Sequence, residues 1–278
     1  MSIKSVLKKV RVKKEKILIP CLYGEILIKR KALVTGGSSG IGFAIARSFI
    51  NNGAEVIICG RNENKLAEAK QKIIAECSCR PEKIDILPLD ISDVDRMRGK
   101  LNEYLRDKII DIFVNCAGIN GGNLFPNTSE DDYDIILETN LKGMYFISQE
   151  IAKYMVEHKI EGNILNITSS SALRPGISPY IVSKWGERSL TLGMAKKYLP
   201  YGIIVNGLAP GSTLTPMLKN NDDNDLYLDY SPSKRYAAPE EIGNLATMMV
   251  SNMGRMVVGD TLYATGGAGL LTYDDAAY

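Results

Sequence analysis

Tyr180 and Lys184 stand four residues apart in a stretch of helical periodicity, which puts a phenol and an ammonium on one face, one turn from each other. A fixed ammonium favours the phenolate, so the pair can pass a proton to and from a substrate oxygen. Far upstream, Thr35-Gly36-Gly37-Ser38-Ser39-Gly40-Ile41-Gly42 follows an apolar run. Glycines there let the backbone turn sharply and approach a pyrophosphate held against a helix N-terminus. The spacing Gly-x-x-x-Gly-x-Gly differs from the commonest dinucleotide fingerprint, so its place between strand and helix carries the reading. A nucleotide cofactor beside a proton-transfer pair means redox chemistry on a carbonyl or an alcohol.

The next question is which cofactor. In an NAD site the second strand ends near an acidic side chain that accepts from the ribose hydroxyls. This chain has Gly60-Arg61 there. A carboxylate repels a 2′-phosphate, whereas a guanidinium donates charge-assisted hydrogen bonds to it. NADP(H) is the expectation, with Ser38 and Ser39 as further donors. The plainer alternative makes Arg61 a solvated residue at a helix start.

Positioning these groups requires a scaffold of strands and helices. Apolar, strand-like runs cover 32–35, 55–59, 84–89, 109–115, 162–168, 203–209 and 261–264, and the first six are continuous rather than alternating. That pattern predicts strands covered on both faces. Helical periodicity fills the gaps, as over 41–52, 62–76 and 141–158. Repeated β-α units predict an α/β fold: a Rossmann-like, doubly wound parallel sheet of about seven strands. The longest irregular stretch, 212–238, follows the Pro210-Gly211 turn and is read as a segment that covers substrate. Pro239-Glu240-Glu241 reads as the first turn of another helix.

The chain has 278 residues, 45% hydrophobic and 24% charged, enough for one large α/β domain over 31–278. Its net charge of +2 is uneven. Residues 1–31 carry ten Lys/Arg against two Glu, or +8, leaving −6 for the rest. A basic arm could meet nucleic acid, an anionic membrane or an acidic partner. The preferred reading of residues 1–30 is a structural extension, with helical spacing early and two short strands over 16–29 around a glycine turn; no nucleic acid is expected as a partner. No uncharged apolar run approaches the ~18 residues that span a bilayer. Five cysteines, an odd number, suggest reduced thiols in the cytoplasm. No metal site is expected, since nothing completes a ligand set around Cys77 and Cys79. The single histidine, His158, is read as a helix C-terminal residue, and without others a Ser-His-Asp hydrolase is excluded.

Taken together and in order, Thr35–Gly42 in its glycine spacing, Asp90, Asn115-Cys116-Ala117-Gly118, Asn140, Tyr180-x-x-x-Lys184 and Pro210-Gly211 resemble the short-chain dehydrogenase/reductase family of ordinary length. The resemblance spans roughly residues 31–270. Cys116 departs from the commoner Asn-Asn-Ala-Gly form at what is a packing position. The resemblance implies that Tyr180 is the general acid or base and that Lys184 supports it and bonds the nicotinamide ribose. It implies that Asn140 holds a water linking Lys184 to solvent. It implies cofactor contacts from Gly36, Ser38, Ser39, Gly40, Ile41, Gly42 and Arg61. Further contacts are implied from Asp90 and Ile91 at the adenine, from Asn115, Ala117 and Gly118, and from Pro210, Gly211, Thr213 and Thr215 near the carboxamide. The family also places a serine after the fifth strand to bond the substrate oxygen. Aligning Asn166-Ile167-Thr168-Ser169 with that strand end picks Ser169, with Ser170 the alternative.

The reaction expected is NADPH-linked reduction of a carbonyl, with a 3-oxoacyl thioester or a sugar or small ketone as substrate. A homo-oligomer, tetramer or dimer, is implied by the same resemblance. A non-catalytic NADP-binding protein with a basic arm is the reading from another class; it has no need of Asn140, Ser169, Tyr180 and Lys184 together. An epimerase of the extended family would need a larger C-terminal substrate domain than the residues after Gly267 supply.

Overall fold

Consecutive side chains on a strand point to opposite faces, and here both faces meet helices. In β1 (Lys31–Thr35), Ala32 and Val34 join Ile45, Phe49, Leu66 and Ile242 in one core, while Leu33 joins Met97, Leu101, Ile147 and Ile151 in a second. β2 (Glu55–Gly60) and β4 (Ile112–Asn115) divide in the same way. Val56, Ile58, Ile112 and Val114 face the first core, and Ile57, Cys59 and Phe113 the second. Double coverage is the physical reason these runs are uninterruptedly apolar.

The computed structural model describes residues 24–217 and 226–271. β3 (Ile84–Pro88), β5 (Asn163–Ile167), β6 (Ile204–Pro210) and β7 (Thr261–Ala264) complete a seven-stranded parallel sheet of order β3-β2-β1-β4-β5-β6-β7. Helices α1 (Gly40–Asn51) and α2 (Glu63–Cys77) cover one face, and α3 (Val94–Leu105) covers the other. α4 (Glu130–Leu137) runs through a π-helical turn, Glu138–Gly143, into α5 (Met144–Glu157). α6 (Pro179–Tyr198) packs with α4 and α5, and α7 (Pro239–Val250) packs with α1. The sheet order reverses direction between β1 and β4, whose C-terminal ends open a crevice suited to a ligand.

Local chemistry sets where these helices begin. Asn62 Oδ1 accepts from Lys65 N at 3.0 Å, and Ser178 Oγ accepts from Ile181 N at 3.2 Å. Pro179 and Pro239 occupy first-turn positions, where no amide donor is lost. His158 caps the end of α5, its Nδ1 2.9 Å from the Tyr154 carbonyl oxygen.

Two expectations are corrected. Residues 25–29 are a chain of turns and not the second strand of a pair, with Ile28 N bonding Glu25 O and Arg30 N bonding Leu27 O. The apolar pattern there serves to bury Leu27 completely, while its amide donates to Asn52 O at the end of α1. Arg30 also reaches Asp111 Oδ1 and Asn163 Oδ1, both at 2.8 Å, which ties this turn to the starts of β4 and β5. The proposed first strand and the helical stretch before it lie outside the described residues. The fourth strand is shorter than 109–115, since Ile109 is exposed and the ladder of β4 starts at Ile112.

The irregular segment 212–238 leaves and returns along one seam. Thr213 pairs with Ala237, Leu214 N donates to Ala237 O, and Ala237 N donates to Ser212 O. Arg235 anchors the return by a two-pronged bond to Glu241 at 2.6 and 2.7 Å. Residues 218–225, which include Asp222, Asp223 and Asp225, lie outside the described residues.

Candidate active site

Residues from eight chain segments converge at the C-terminal ends of β1, β2 and β4 around one cleft of about 270 Å³. The turn between β1 and α1 forms one wall through Gly36, Ser38, Ser39, Gly40, Ile41 and Gly42. α1 begins at Gly40, so its first, unsatisfied amides lie beside the cleft. Glycine is required at two positions for separate reasons. Gly36 has φ of +67°, and a Cβ there would lie 3.0 Å from Ala117 Cα. At Gly42 a Cβ would fall 2.4 Å from Gly36 O, so the turn could not close onto the helix.

Arg61 lies at the open margin next to Gly60, and Asp90 and Ile91 form the adjoining wall. Asp90 Oδ1 accepts from the Ser92 amide at 3.0 Å and from the Ser92 hydroxyl at 2.7 Å, which fixes its carboxylate. Among the described residues that line the cleft, Arg61 and Lys184 are the cations and Asp90 is the one carboxylate. Ala117, Gly118, Tyr180, Lys184 and Thr215 line the cleft as well.

The remaining expected residues stand behind this surface. Asn115 is buried and its Nδ2 donates to Ser148 Oγ at 2.7 Å, beneath the loop that reaches the cleft. Asn140 is fully buried: its Oδ1 accepts from Ile119 N at 2.8 Å and its Nδ2 donates to Ile119 O at 2.9 Å and to Ser183 Oγ at 3.2 Å. Ser183 Oγ then donates to Tyr180 O at 2.7 Å. The amide therefore ties the loop after β4 to the first turn of α6. Ser169 caps the short 3-10 turn Ser170–Leu173, accepting from Ser171 N at 3.1 Å, while its neighbour Thr168 lines the cleft. Ser170 is buried inside that turn. Pro210 ends β6, Gly211 N bonds Ala264 O, and Thr213 Oγ1 donates to Gly211 O at 3.0 Å; together they aim the following Thr215 into the cleft.

Lys184 has a partner that sequence reasoning missed. Its Nζ lies 2.7 and 3.0 Å from the two oxygens of Glu187, and both side chains are buried. The ammonium also stands 5.5 Å from the centroid of the Tyr180 ring. Burial pushes the Glu187 carboxyl up to about 7, against the opposing pull of Lys184. Burial alone would lower the Lys184 ammonium, but the charge and hydrogen bond of Glu187 together with Tyr180 and Cys116 outweigh it, and the net shift is upward. The enclosed Cys116 thiol is pushed up to about 12 by burial, Lys184 opposing, so it stays protonated and unreactive at neutral pH. Thr35 was missed too. Its Oγ1 accepts from Cys116 N at 2.9 Å and from Ala117 N at 3.0 Å, joining the ends of β1 and β4. A Glu three residues after a Lys on a helix reads as a surface ion pair, and Thr35 reads as an ordinary strand residue, so neither carried a signal.

The fold and this cleft define an oxidoreductase scaffold of the nucleotide-binding α/β kind. Residues 30–226 match the family model described as short chain dehydrogenase, and the chain belongs to that family. It is 34% identical over 244 residues to a gluconate 5-dehydrogenase of Gluconobacter oxydans, covering 85% of this chain and 93% of that protein. It is 33% identical over 247 residues to a 3-oxoacyl-[acyl-carrier-protein] reductase of Chlamydia muridarum, covering 87% and 98%. Among solved structures, a gluconate 5-dehydrogenase from Burkholderia cenocepacia in complex with NADP and tartrate superposes with a TM-score of 0.78 at 32% identity, over 87% of this chain and 96% of that one. The chain is thus an oxidoreductase of a family that acts on carbonyls and alcohols with nicotinamide cofactors. Among the described residues no helix is long and apolar enough to cross a membrane.

Proposed function

We propose that the protein transfers hydride between NADP(H) and a carbonyl or secondary alcohol, as a dehydrogenase/reductase acting on CH–OH groups. One observation carries the reading: Tyr180 and Lys184 line the same cleft as the glycine turn and Arg61. The cleft suits the cofactor, since Gly36 lies flush against Ala117 and Gly42 against Gly36, which leaves backbone amides to face phosphate. Arg61, with Ser38, would hold the 2′-phosphate. Asp90 and Ile91 would meet the adenine, Ala117 and Gly118 the adjoining ribose, and Thr215 the carboxamide, with Asn115, Pro210, Gly211 and Thr213 fixing the loops behind them. NADP(H), when bound, supplies or accepts the hydride.

The chain's own part is proton transfer and orientation. Tyr180 gives its proton to the substrate oxygen in reduction and takes it back in oxidation. Lys184 supports the charge on that phenol and bonds the nicotinamide ribose. Ser169 donates its O–H to the same substrate oxygen; the turn cap engages it only as an acceptor, which leaves its proton free. Asn140, in the π-helical turn, is assigned the water that links Lys184 to solvent, because helical carbonyls lose regular partners there. A 3-oxoacyl thioester is the first substrate class, supported by the acyl-carrier-protein reductase relatives. A polyhydroxy acid or keto-sugar is the second, favoured by the gluconate 5-dehydrogenase likeness. The described foot of the irregular segment, Thr215, Pro216 and Met217, lines the cleft and would stand beside the substrate. Exposed Tyr133, Ile135, Tyr145, Val182, Trp185 and Leu192 on α4 to α6 favour a homo-oligomer.

The test is cofactor consumption with an acetoacetyl thioester, 5-ketogluconate and simple ketones, and cofactor reduction with gluconate, in wild type and Tyr180→Phe. Turnover on one class that falls by about 10²–10⁴-fold in the variant supports the reading. Equal turnover by both proteins on that reactant would overturn it.

A further inference from the structure

Lys184 is held by a group that the hydride-transfer chemistry leaves unused. Glu187 is 2% exposed, and both of its oxygens lie within 3.0 Å of Lys184 Nζ. Carrying a charge into a site this closed is costly unless a partner answers it. A hydrophobic residue would pack one turn above Lys184 without that cost. The helix keeps the pair rigid: Thr191 Oγ1 donates to Glu187 O at 2.8 Å and accepts from Asn166 Nδ2 at 2.9 Å.

We propose that Glu187 is a positioning residue of the proton-transfer site, whose carboxylate fixes the Lys184 ammonium and sets how much positive charge that ammonium presents to Tyr180. The inference rests on the reading of the cleft as a tyrosine–lysine hydride-transfer site. The titratable groups around the pair are Lys184 and Tyr180 on α6 and Cys116 on the loop after β4. The thiol keeps its proton near neutrality, so the charge balance there belongs to Tyr180, Lys184 and Glu187. With Glu187 ionised, the lysine's charge is answered locally and lends less support to a phenolate. With Glu187 removed or protonated, the same ammonium acts on the phenol unopposed.

The experiment reads phenolate formation directly, in cofactor-free protein, as the near-ultraviolet absorbance difference between each protein and its Tyr180→Phe counterpart over a pH series. Glu187→Gln and Glu187→Leu should both move phenolate formation to lower pH by about one unit, a roughly tenfold gain in phenolate at the foot of the curve. In a Lys184→Met background the Glu187 substitutions should produce no such downward move, because the effect travels through the ammonium. A purely structural carboxylate would lower thermal stability and leave the curve in place. A curve that stays put or moves upward in both the Gln and Leu variants overturns the inference. Failure of the hydride-transfer reading shows separately, as Tyr180→Phe turning over like wild type.

Discussion

Asn140 and Ile119 exchange two hydrogen bonds: the Asn140 carboxamide accepts from the Ile119 amide at 2.8 Å and donates to the Ile119 carbonyl at 2.9 Å. A third bond to Ser183 Oγ, and from there to Tyr180 O, makes this side chain the strut between the loop after β4 and the start of α6. Asn140→Ala therefore strands two backbone groups and should lower unfolding stability by about 2 kcal/mol. Turnover should fall by more than stability alone explains, which denaturant titration beside steady-state kinetics will separate.

Arg61→Ala should raise the KM for NADPH by about 10–100-fold, the range of one or two charge-assisted bonds to a phosphate, and leave that for NADH nearly unchanged. The guanidinium is exposed and forms no ion pair among the described residues, so stability should hold. Equal use of NADPH and NADH by wild type would remove the case for a 2′-phosphate site.

Ser169→Ala and Ser170→Ala separate two neighbours. The first loses both the turn cap and the proton donor, so kcat should drop by roughly 10²-fold with about 1 kcal/mol of stability. The second changes a side chain inside the turn, and kcat should stay within a few-fold. Inverted results would move the substrate-oxygen contact to Ser170.

Glu187 also makes a stability prediction with a definite sign. Burial lifts its folded ionisation from 4.5 to about 7, so the folded chain holds a proton that the unfolded chain has released. Its contribution is complete below about 4.5 and is lost as pH rises through about 7, on the order of 3 kcal/mol. Glu55 and Glu241 are shifted the other way by Lys31 and Arg235, and their contributions are already present above the usual carboxylate range. Denaturant unfolding of wild type across that window should show falling stability, and the Lys184→Met/Glu187→Leu double variant should lack that slope.

Much of this site can be read from residues close in sequence. The glycine turn is legible because a single β-turn-α unit contains most of the reason for it: Gly42 closes on Gly36, and only the abutment of Gly36 on Ala117 after β4 comes from afar. Tyr180 and Lys184 are legible because a helix alone puts them one turn apart. Continuous apolar runs announce strands covered twice, and seven strands of one parallel sheet follow from their alternation with helices. The segment 25–29 misled for the same reason: its run Ile26-Leu27-Ile28 after a glycine looked like a strand, but only the packed end of α1 decides that Leu27 is the one buried.

The chain's residue order determined the glycine turn, the Tyr180–Lys184 pair one helical turn apart, the Gly60-Arg61 ending of β2 and the class of fold, all of which depend on neighbours within a few positions. Tertiary structure decided that Thr35 bridges to residues about eighty positions away, that Asn140 braces Ile119, and that Glu187 lies in the interior instead of on a wet helix face. Those outcomes depend on which strands lie side by side and which helix faces they bury. Burial turns an ordinary i,i+3 ion pair into one whose proton is lost only near neutrality.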